Sequence, residues 1–326
     1  MKKRIISLFM LLVLMFSLTA CGGSKAEVGR DINIASLKGP TSMGLAKLYD
    51  DQDNEKTKNN YNYKIVNTLD EIVAGLSKGD FDIAAVPANL AAVLYNKSEG
   101  NLLQVSNINT LGVLYLASAD DSIKDIKDLK GKTIILSGKG ATPEYAIRYL
   151  LEKNGLDPNR DVVLSYKSEH TEVLQELIND NKSVAILPEP FLTIASKKAN
   201  ITNTISLNDM WQEINPGENL ITGVLVVRKE FLKDKNNKMA FDAFLDEYKN
   251  SVNFTNDNIE EAAKLIGKYD IVKEEVALEA IPNCNIVYID SDEMKDQLES
   301  YLTTLYVEDP NSIGGAMPDD EFYYKK

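Results

Sequence analysis

A glycine-rich loop between an apolar strand and a helix is the stretch best suited to holding a charged group. In LSGKGATPEYAIRYLL, the strand 133–136 leads into glycines at 138 and 140, and Thr142 and Pro143 are predicted to be the N-cap and first residue of a helix. Amides at such a helix start bind anions or carbonyl oxygens. A nucleotide-binding loop has Ser or Thr after its lysine, whereas Lys139 is followed by glycine. The alternative is that the glycines only form a tight turn.

An internal repeat places this loop in a larger pattern. Residues 32–96 and 133–197 both read as strand, loop, helix, strand, helix, strand and helix. The segment DIAAVP of the first half aligns with SVAILP of the second. Prolines occur at matching places in the two halves: Pro40 and Pro87, then Pro143 and Pro188. We therefore predict two similar βαβαβ units.

Loops at the carboxyl ends of the strands of such units face a common crevice. The residues predicted to line it are Lys38, Gly39, Thr41, Ser42, Asn67, Pro87 and Asn89 in the first half, Gly138, Lys139, Gly140, Thr142, Tyr145 and Glu189 in the second, and Tyr115 between them. The loop 138–142 is the counterpart of 38–42.

Several of these residues also have a structural explanation. Asn89 can bind a polar solute or cap its own helix. Glu189 can pair with a cationic solute or stabilise the helix that follows it. Tyr115 and Tyr145 can stack on a planar ligand, although aromatic residues in such positions are more often part of the core.

The N-terminus predicts export. Three basic residues precede the apolar run 5–20, and Leu-Thr-Ala-Cys ends at Cys21. This motif resembles a bacterial lipobox, which implies cleavage after residue 20 and diacylation of Cys21. Residues 21–30 would then tether a soluble body to the membrane. A retained transmembrane helix is the alternative, but the run is short for a bilayer, which needs about 20 residues.

Composition narrows the function further. The 326-residue chain has a net charge of −13, and its removable N-terminal segment carries only basic charges. Such an acidic body argues against nucleic-acid binding. Its two cysteines are Cys21 and Cys284, so a lipidated chain has no partner for an internal disulfide or a cysteine metal site. Cys284 is expected to be a small apolar packing residue.

Two apolar segments, 108–121 and 219–232, are predicted to cross between the two units. The chain after 228 is rich in helical patterns and is expected to pack on the first unit. The predicted domains are therefore a discontinuous lobe I (31–112 and 224–326) and a lobe II (113–223). Hinges are expected near 109–117 and 219–226, where Gly112 and Gly223 would ease the change in dihedral angles.

Taken together, these segments resemble the extracytoplasmic solute-binding proteins of ABC importers. The chain is similar to the type II branch that includes nitrate, sulfonate, taurine and thiamine-pyrimidine binders. LKGPTSMGLAKLY, GDFDIAAVPANLAAVLY, DLKGKTIILSGKGATPEYAIRYLLEKNGLDP and AILPEPF carry the resemblance. It implies a two-lobed α/β periplasmic-binding-protein-like fold with mainly parallel sheets.

The resemblance also implies a mechanism of solute capture and delivery. The lobes would close on a small solute, and the closed form would dock on a membrane permease. A monomer is expected, held on the extracytoplasmic face by its lipid, without a cofactor, a metal ion or nucleic acid as partner.

The charges indicate the class of solute. None of the arginines lies in a predicted crevice loop, whereas amino-acid binders of this fold usually hold the α-carboxylate with one. A sulfonate-like anion or a thiamine-pyrimidine-like heterocycle is therefore expected.

Two other functions stay open. Some relatives of the fold process thiamine-pyrimidine or menaquinone precursors as enzymes, but the single histidine, His170, is predicted to be a solvated residue at a helix start. The other alternative is a sensory lipoprotein with no role in transport.

Overall fold

The computed structural model describes residues 29–180 and 182–326. The predicted export signal, Cys21 and most of the tether lie outside the described residues. Within them, no helix combines the length and apolar character needed to cross a bilayer.

A first mixed sheet contains six strands: β1 (Asp31–Leu37), β2 (Asn60–Val66), β3 (Ile83–Pro87), β4 (Leu103–Thr110), β10 (Gly223–Arg228) and β11 (Ile286–Ile289). Their order across the sheet is β11-β4-β10-β3-β1-β2. Strand β1 runs parallel to β2 and β3, while β10 is antiparallel to β3 and β4, and β11 is antiparallel to β4. Strand β3 is almost wholly buried because helices cover both faces of the sheet.

A second mixed sheet contains five strands: β5 (Leu114–Ser118), β6 (Thr133–Ser137), β7 (Val163–Lys167), β8 (Val184–Pro188) and β9 (Asn203–Ser206). Their order across the sheet is β7-β6-β8-β5-β9. Strand β6 is parallel to β7 and β8, and β5 is antiparallel to β8 and β9.

Helices connect and cover the strands. They are α1 (Pro40–Met43), α2 (Ala46–Asp53), α3 (Leu69–Lys78), α4 (Ala88–Lys97), α5 (Thr142–Lys153), α6 (His170–Asn179), α7 (Phe191–Lys198), α8 (Leu207–Ile214), α9 (Lys229–Leu232), α10 (Lys235–Asp257), α11 (Ile259–Lys268), α12 (Glu274–Ala280) and α13 (Ser291–Glu308). Short 3₁₀ helices occur at Ile126–Leu129, Ile281–Asn283, Pro310–Ile313 and Asp320–Phe322.

The sequence predicts mainly parallel sheets, but each sheet is antiparallel where the chain crosses over. Strand β4 belongs to the first sheet and β5 to the second, and β10 returns the chain to the first. Strands β5 and β10 each arrive from the other sheet. Each enters its own sheet at the carboxyl ends of the parallel strands, so it is antiparallel to them. The lobe boundaries at 112/113 and 223/224 stay predictions.

The C-terminal part packs on the first sheet, but α13 also contacts the second lobe. Phe241 and Phe244 of α10 share a buried cluster with Ile32 and Ile34 of β1. By contrast, Tyr301 of α13 lies against Trp211 of α8, with ring centroids 5.5 Å apart.

An aromatic bridge of Tyr149, Trp211 and Tyr301 therefore joins the two lobes. Trp211, the only tryptophan of the chain, is fully buried, and its ring lies 4.7 Å from that of Tyr149 on α5. One apolar core continues through these residues from one sheet to the other.

Candidate ligand-binding cleft

A cavity of about 80 Å³ lies where the carboxyl ends of the two sets of parallel strands meet. The first loop, 38–42, forms one wall, and the second loop, 138–142, forms the other together with Pro143. The floor is made by Thr110, Val113 and Thr222 from the two crossover segments. Most other lining residues are apolar, among them Leu69, Leu114, Pro188 and Phe191.

The first loop turns sharply at Gly39, whose φ of 142° and ψ of −154° are accessible essentially only to glycine. Pro40 then begins the one-turn helix α1. Thr41 Oγ1 donates a hydrogen bond to the carbonyl oxygen of Leu37 at 3.1 Å. Among the described residues, the Thr41 amide has no acceptor, and Thr41 lines the cavity.

The second loop has two glycines with positive φ, 80° at Gly138 and 74° at Gly140. Helix α5 begins at Thr142, with Ala141 as its N-cap, so the prediction of Thr142 as N-cap is wrong by one residue. Thr142 is instead the first helical residue. Its amide has no acceptor among the described residues, because the first N–H groups of a helix have no helical carbonyl one turn before them.

A buried carboxylate holds the second loop in place. Glu144 accepts hydrogen bonds from the Gly140 amide at 2.7 Å, from Tyr166 at 2.6 Å and from Arg148 at 3.0 Å. Burial alone would raise the pKa of Glu144, but these three bonds outweigh burial and hold it below its ordinary value. The Gly140 amide is therefore occupied within the protein.

His170 lies at the cavity and is not the solvated residue that the sequence predicts. It begins α6, and its Nδ1 lies 2.6 Å from Ser137 Oγ, at the end of β6. Its ring packs on Phe191 at 5.2 Å between centroids. Burial lowers the pKa of His170 from 6.5 to about 4, so the imidazole is neutral at pH 7.

The cavity opens towards the edge strands β2 and β7, which lie farthest from the crossovers. An outer pocket there, which we call the mouth, is lined by Asn67, Thr68 and Asp70 of the first lobe and by Lys139, Lys167 and Ser168 of the second. The mouth and the cavity share Leu37, Leu69, Gly138 and His170.

Both loop lysines already have partners. Lys38 lines the cavity, but its Nζ lies 3.3 Å from the exposed carboxylate of Asp270. Lys139 Nζ lies over the ring of Tyr166, 5.4 Å from its centroid. Neither ammonium group is fixed inside the cavity.

The structure brings only some of the predicted residues together. Those that line the cavity are Lys38, Gly39, Thr41, Pro87, Gly138 and Thr142, and those at the mouth include Asn67 and Lys139. Those that line neither are Ser42, Asn89, Tyr115, Gly140, Tyr145 and Glu189.

Asn89 is buried and neither caps its helix nor lines the cavity. Its Nδ2 donates to the carbonyl oxygens of Gly140 at 3.1 Å and Ser312 at 3.0 Å, and its Oδ1 accepts from Thr142 Oγ1 at 3.3 Å. It thereby ties the second loop to α4 and the C-terminal segment.

Glu189 and the two tyrosines make contacts within the protein and do not line the cavity. Glu189 is buried and accepts from the Thr193 amide and hydroxyl, at 3.1 and 2.8 Å, within the first turns of α7. Tyr115 packs on the cluster between the second sheet and α6 and α7. Tyr145 lines a different pocket, between α5 and α13.

The two crossover glycines are required for close packing. A Cβ at Gly112 would lie 2.3 Å from Cβ of Asn208, and a Cβ at Gly223 would lie 2.5 Å from Asn109 Oδ1 and 3.0 Å from Thr41 Cγ2. Neither has a positive φ. Close packing is therefore one reason for glycine at both positions, and the expectation that they ease a change in dihedral angles stays a prediction.

Sequence reasoning missed Ser137, His170, Phe191 and the floor threonines. The rule that cleft residues follow the carboxyl ends of strands points to His170, because it follows β7, but a lone histidine at a helix start is more often solvent-exposed. The floor residues belong to crossover strands, which the rule for parallel strands does not cover.

Cys284 is a buried free thiol whose Sγ lies 3.6 Å from Met43 Sδ, as expected of a packing residue. Among the described residues, no three His, Cys, Asp or Glu side chains cluster as metal ligands would.

Solved structures with this architecture are numerous. An ABC transporter protein from Parabacteroides distasonis is 26% identical, with a TM-score of 0.73 over 90% of this chain and 99% of that one. The periplasmic aliphatic sulphonate binding protein SsuA from Escherichia coli is 14% identical, with a TM-score of 0.70 over 90% and 92% of the two chains, which shows the shared fold.

A curated relative, the putative binding protein YtlA of Bacillus subtilis, is 27% identical over 192 residues. That match covers 57% of this chain and 56% of the relative, so it spans about half the length of each.

The family model for the periplasmic phosphonate substrate-binding proteins of ABC transporters matches residues 54–271, more than half of the chain. Proteins of this kind are extracytoplasmic solute-binding components that deliver small molecules to a membrane permease, and they are not enzymes. The match begins within the first lobe, covers the whole second lobe and includes both crossovers. The chain therefore belongs to the periplasmic phosphonate-type substrate-binding family of ABC transporters.

Proposed function

We propose that this protein is a lipid-anchored solute-binding protein that captures a small organic monoanion of the sulfonate type. One observation carries the proposal: the amides of Thr41 and Thr142 lack acceptors among the described residues and lie on opposite walls of one cavity. Two amides from different lobes can bind two oxygens of one anionic group, which would hold the lobes together.

The charged residues near the cavity favour a solute that carries a single negative charge. Of the described residues that line it, none is Asp, Glu or Arg, and the half-buried imidazole of His170, whose pKa is lowered to about 4, is neutral at pH 7. Lys38 and Lys139 are engaged by Asp270 and Tyr166. A phosphonate dianion would bring a second charge into a site with no fixed cation to balance it.

The apolar residues of the cavity wall favour a solute whose uncharged part is short and apolar. Pro40, Leu114, Pro143 and Phe191 line the cavity, and its small volume admits a molecule of a few heavy atoms. Their contact would contribute about 25 cal/mol per Å² of apolar surface removed from water.

A neutral heterocycle of the thiamine-pyrimidine kind is the second candidate. The tilted pair of His170 and Phe191 offers an aromatic surface, and the bond to Ser137 fixes the orientation of the imidazole. A planar ring bearing amino groups can use both features.

Calorimetry on the chain from residue 24 onward separates the candidates. We expect ethanesulfonate to bind at least tenfold more tightly than ethylphosphonate at pH 8.5, where the phosphonate carries two charges, and more tightly than an aminopyrimidine. A preference for the dianion or the pyrimidine would contradict the proposal.

A pair of variants tests the amide itself. Thr142→Pro removes the amide at a position where proline suits the helix, and Thr142→Val keeps the amide while losing the hydroxyl. Both lose the bond from the Thr142 hydroxyl to Asn89, so that loss cannot account for a difference between them. We expect ethanesulfonate binding to fall at least tenfold further in Thr142→Pro than in Thr142→Val. Equal affinities would show that the amide does not bind the anion.

The anchor and the closing motion complete the proposal. Cys21→Ser is expected to abolish incorporation of a labelled fatty acid into the protein, and unchanged labelling would contradict a lipid anchor at Cys21. The two lobes are expected to close on the solute by rotating about the segments that join β4 to β5 and α8 to β10. Lobe I comprises 31–112 and 224–326, and lobe II comprises 113–223. Small-angle scattering should show a smaller radius of gyration with ethanesulfonate; an unchanged radius would contradict closure.

A further inference from the structure

The cavity and the mouth are adjoining spaces of different size and polarity. The cavity has a volume of about 80 Å³ and mostly apolar walls, whereas the mouth has a volume of about 330 Å³ and carries charged residues. Four residues line both spaces and therefore form the boundary between them: Leu37, Leu69, Gly138 and His170. A solute that is longer than the cavity has to cross this boundary.

Three of the four boundary residues are fixed within the protein. Leu37 packs on the apolar core that continues between the two sheets. Gly138 contributes no side chain, and its φ of 80° disfavours any other residue. His170 is held by its hydrogen bond to a serine and by packing against a phenylalanine ring. The width of the boundary therefore depends on the fourth residue, Leu69.

Leu69 is the first residue of α3, and its side chain is half-buried. It belongs to none of the three buried apolar clusters formed by the described residues, nor to the residues packed on them. Val73, one turn later on the same helix, does pack on the core. Leu69 therefore places apolar surface at the boundary without contributing to the core, and an alkyl group in the cavity would remove that surface from water.

We propose that Leu69 is a specificity-determining residue, whose side chain closes the cavity towards the mouth and restricts the solute to a short alkyl chain. Leu69 belongs to the first lobe, and Gly138 and His170 belong to the second, so the boundary closes as the lobes come together. A longer chain would have to displace Leu69 and extend among the charged residues of the mouth. This inference rests on the proposed function, since it assumes that the solute is an alkyl monoanion.

Calorimetry with ethanesulfonate and butanesulfonate tests the proposal in the wild type, Leu69→Ala and Val73→Ala. We expect the wild type to bind ethanesulfonate at least tenfold more tightly, because each methylene group in excess of a closed apolar site lowers the affinity about tenfold or more. The ratio of the two affinities should fall below about threefold in Leu69→Ala, whose shorter side chain leaves space for the longer solute. Val73→Ala alters the same helix away from both spaces and should keep the wild-type ratio.

The possible results separate this inference from the proposed function. An unchanged ratio in Leu69→Ala, an equal change in Val73→Ala, or a wild type that binds both sulfonates equally well overturns this inference alone. A wild type that binds neither sulfonate overturns it together with the proposed function.

Thermal unfolding without ligand tests the position of Leu69 independently. Val73→Ala removes a side chain that packs on the core, so its melting temperature should fall. Leu69→Ala removes more atoms, yet its melting temperature should stay closer to that of the wild type. A larger fall in Leu69→Ala than in Val73→Ala would place Leu69 in the core and overturn the inference.

Discussion

The first loop (38–42) and the second loop (138–142) occupy equivalent places in the two repeats, but they are held differently. In the first loop, Ser42 Oγ donates within its own lobe, to the Leu37 carbonyl oxygen at 2.7 Å. The second loop depends on Glu144 within its lobe and on Asn89 from the other lobe. The repeat has kept the path of the backbone while the contacts that support it have diverged.

This difference assigns the loops different mechanical roles. The first loop is supported by short-range bonds that do not depend on the position of the second lobe. The second loop bonds across the cleft, so a change in the angle between the lobes changes its surroundings. We therefore expect loss of the side chains that support the second loop to cost more stability than loss of those that support the first, and the four predictions below explore the contrast between the two loops and the cleft around them.

The largest effect is expected for Glu144→Ala. It leaves the Gly140 amide, Tyr166 and Arg148 without their shared acceptor, and we expect a loss of about 3 kcal/mol in the free energy of unfolding. Urea unfolding measures it. Glu144→Gln is the control, since it retains an acceptor oxygen and should lose less. A loss below about 1 kcal/mol for Glu144→Ala would show that the carboxylate does not hold the loop.

The next effect concerns His170, whose pKa is lowered to about 4 in the folded protein. Between pH 6.5 and 4 the unfolded chain binds more protons than the folded one, so the free energy of unfolding falls as the pH falls. We expect the wild type to lose about 2 kcal/mol more than His170→Gln across this window, measured by thermal unfolding at each pH. Parallel profiles would place the imidazole in solvent, as the sequence predicts.

The sequence predicted the elements better than their contacts. Loop positions follow from local signals such as the Gly-Pro pair at 39–40 and the Thr-Pro pair at 142–143, and the cleft follows from the order of strands and helices. These features depend on neighbours in the chain, which a single sequence displays directly.

Contacts between segments that are distant in the chain could not be predicted from such local signals. Asn89 follows β3 as a cleft residue would, but its partners Gly140 and Ser312 lie far away in the chain. Tyr145 faces α13, whose packing on the second lobe has no local signal. His170 shows the reverse error, because its burial arises from Phe191 and Ser137 on other elements.

A smaller effect is expected from the loop glycines. Gly39→Ala places a side chain at φ 142° and should cost about 2 kcal/mol, while Gly140→Ala at φ 74° should cost about 1 kcal/mol. Apart from the chain neighbours, no heavy atom of the described residues lies within 4 Å of either added Cβ, so the cost comes from the backbone conformation. Chemical denaturation of both variants makes the comparison, and equal costs would mean that the first loop relaxes to another conformation.

The smallest effect is expected for Ser42→Ala, and it returns to the contrast between the loops. Ser42 is fully buried and bonds Ser36 Oγ and the Leu37 carbonyl oxygen, both at 2.7 Å, so its loss should cost about 1 kcal/mol. Because Ser42 does not line the cavity, the affinity for ethanesulfonate should change less than twofold. Thermal unfolding and calorimetry on one preparation measure both quantities. A large loss of affinity with unchanged stability would return Ser42 to the binding site, and it would mean that the first loop, like the second, moves when the solute binds.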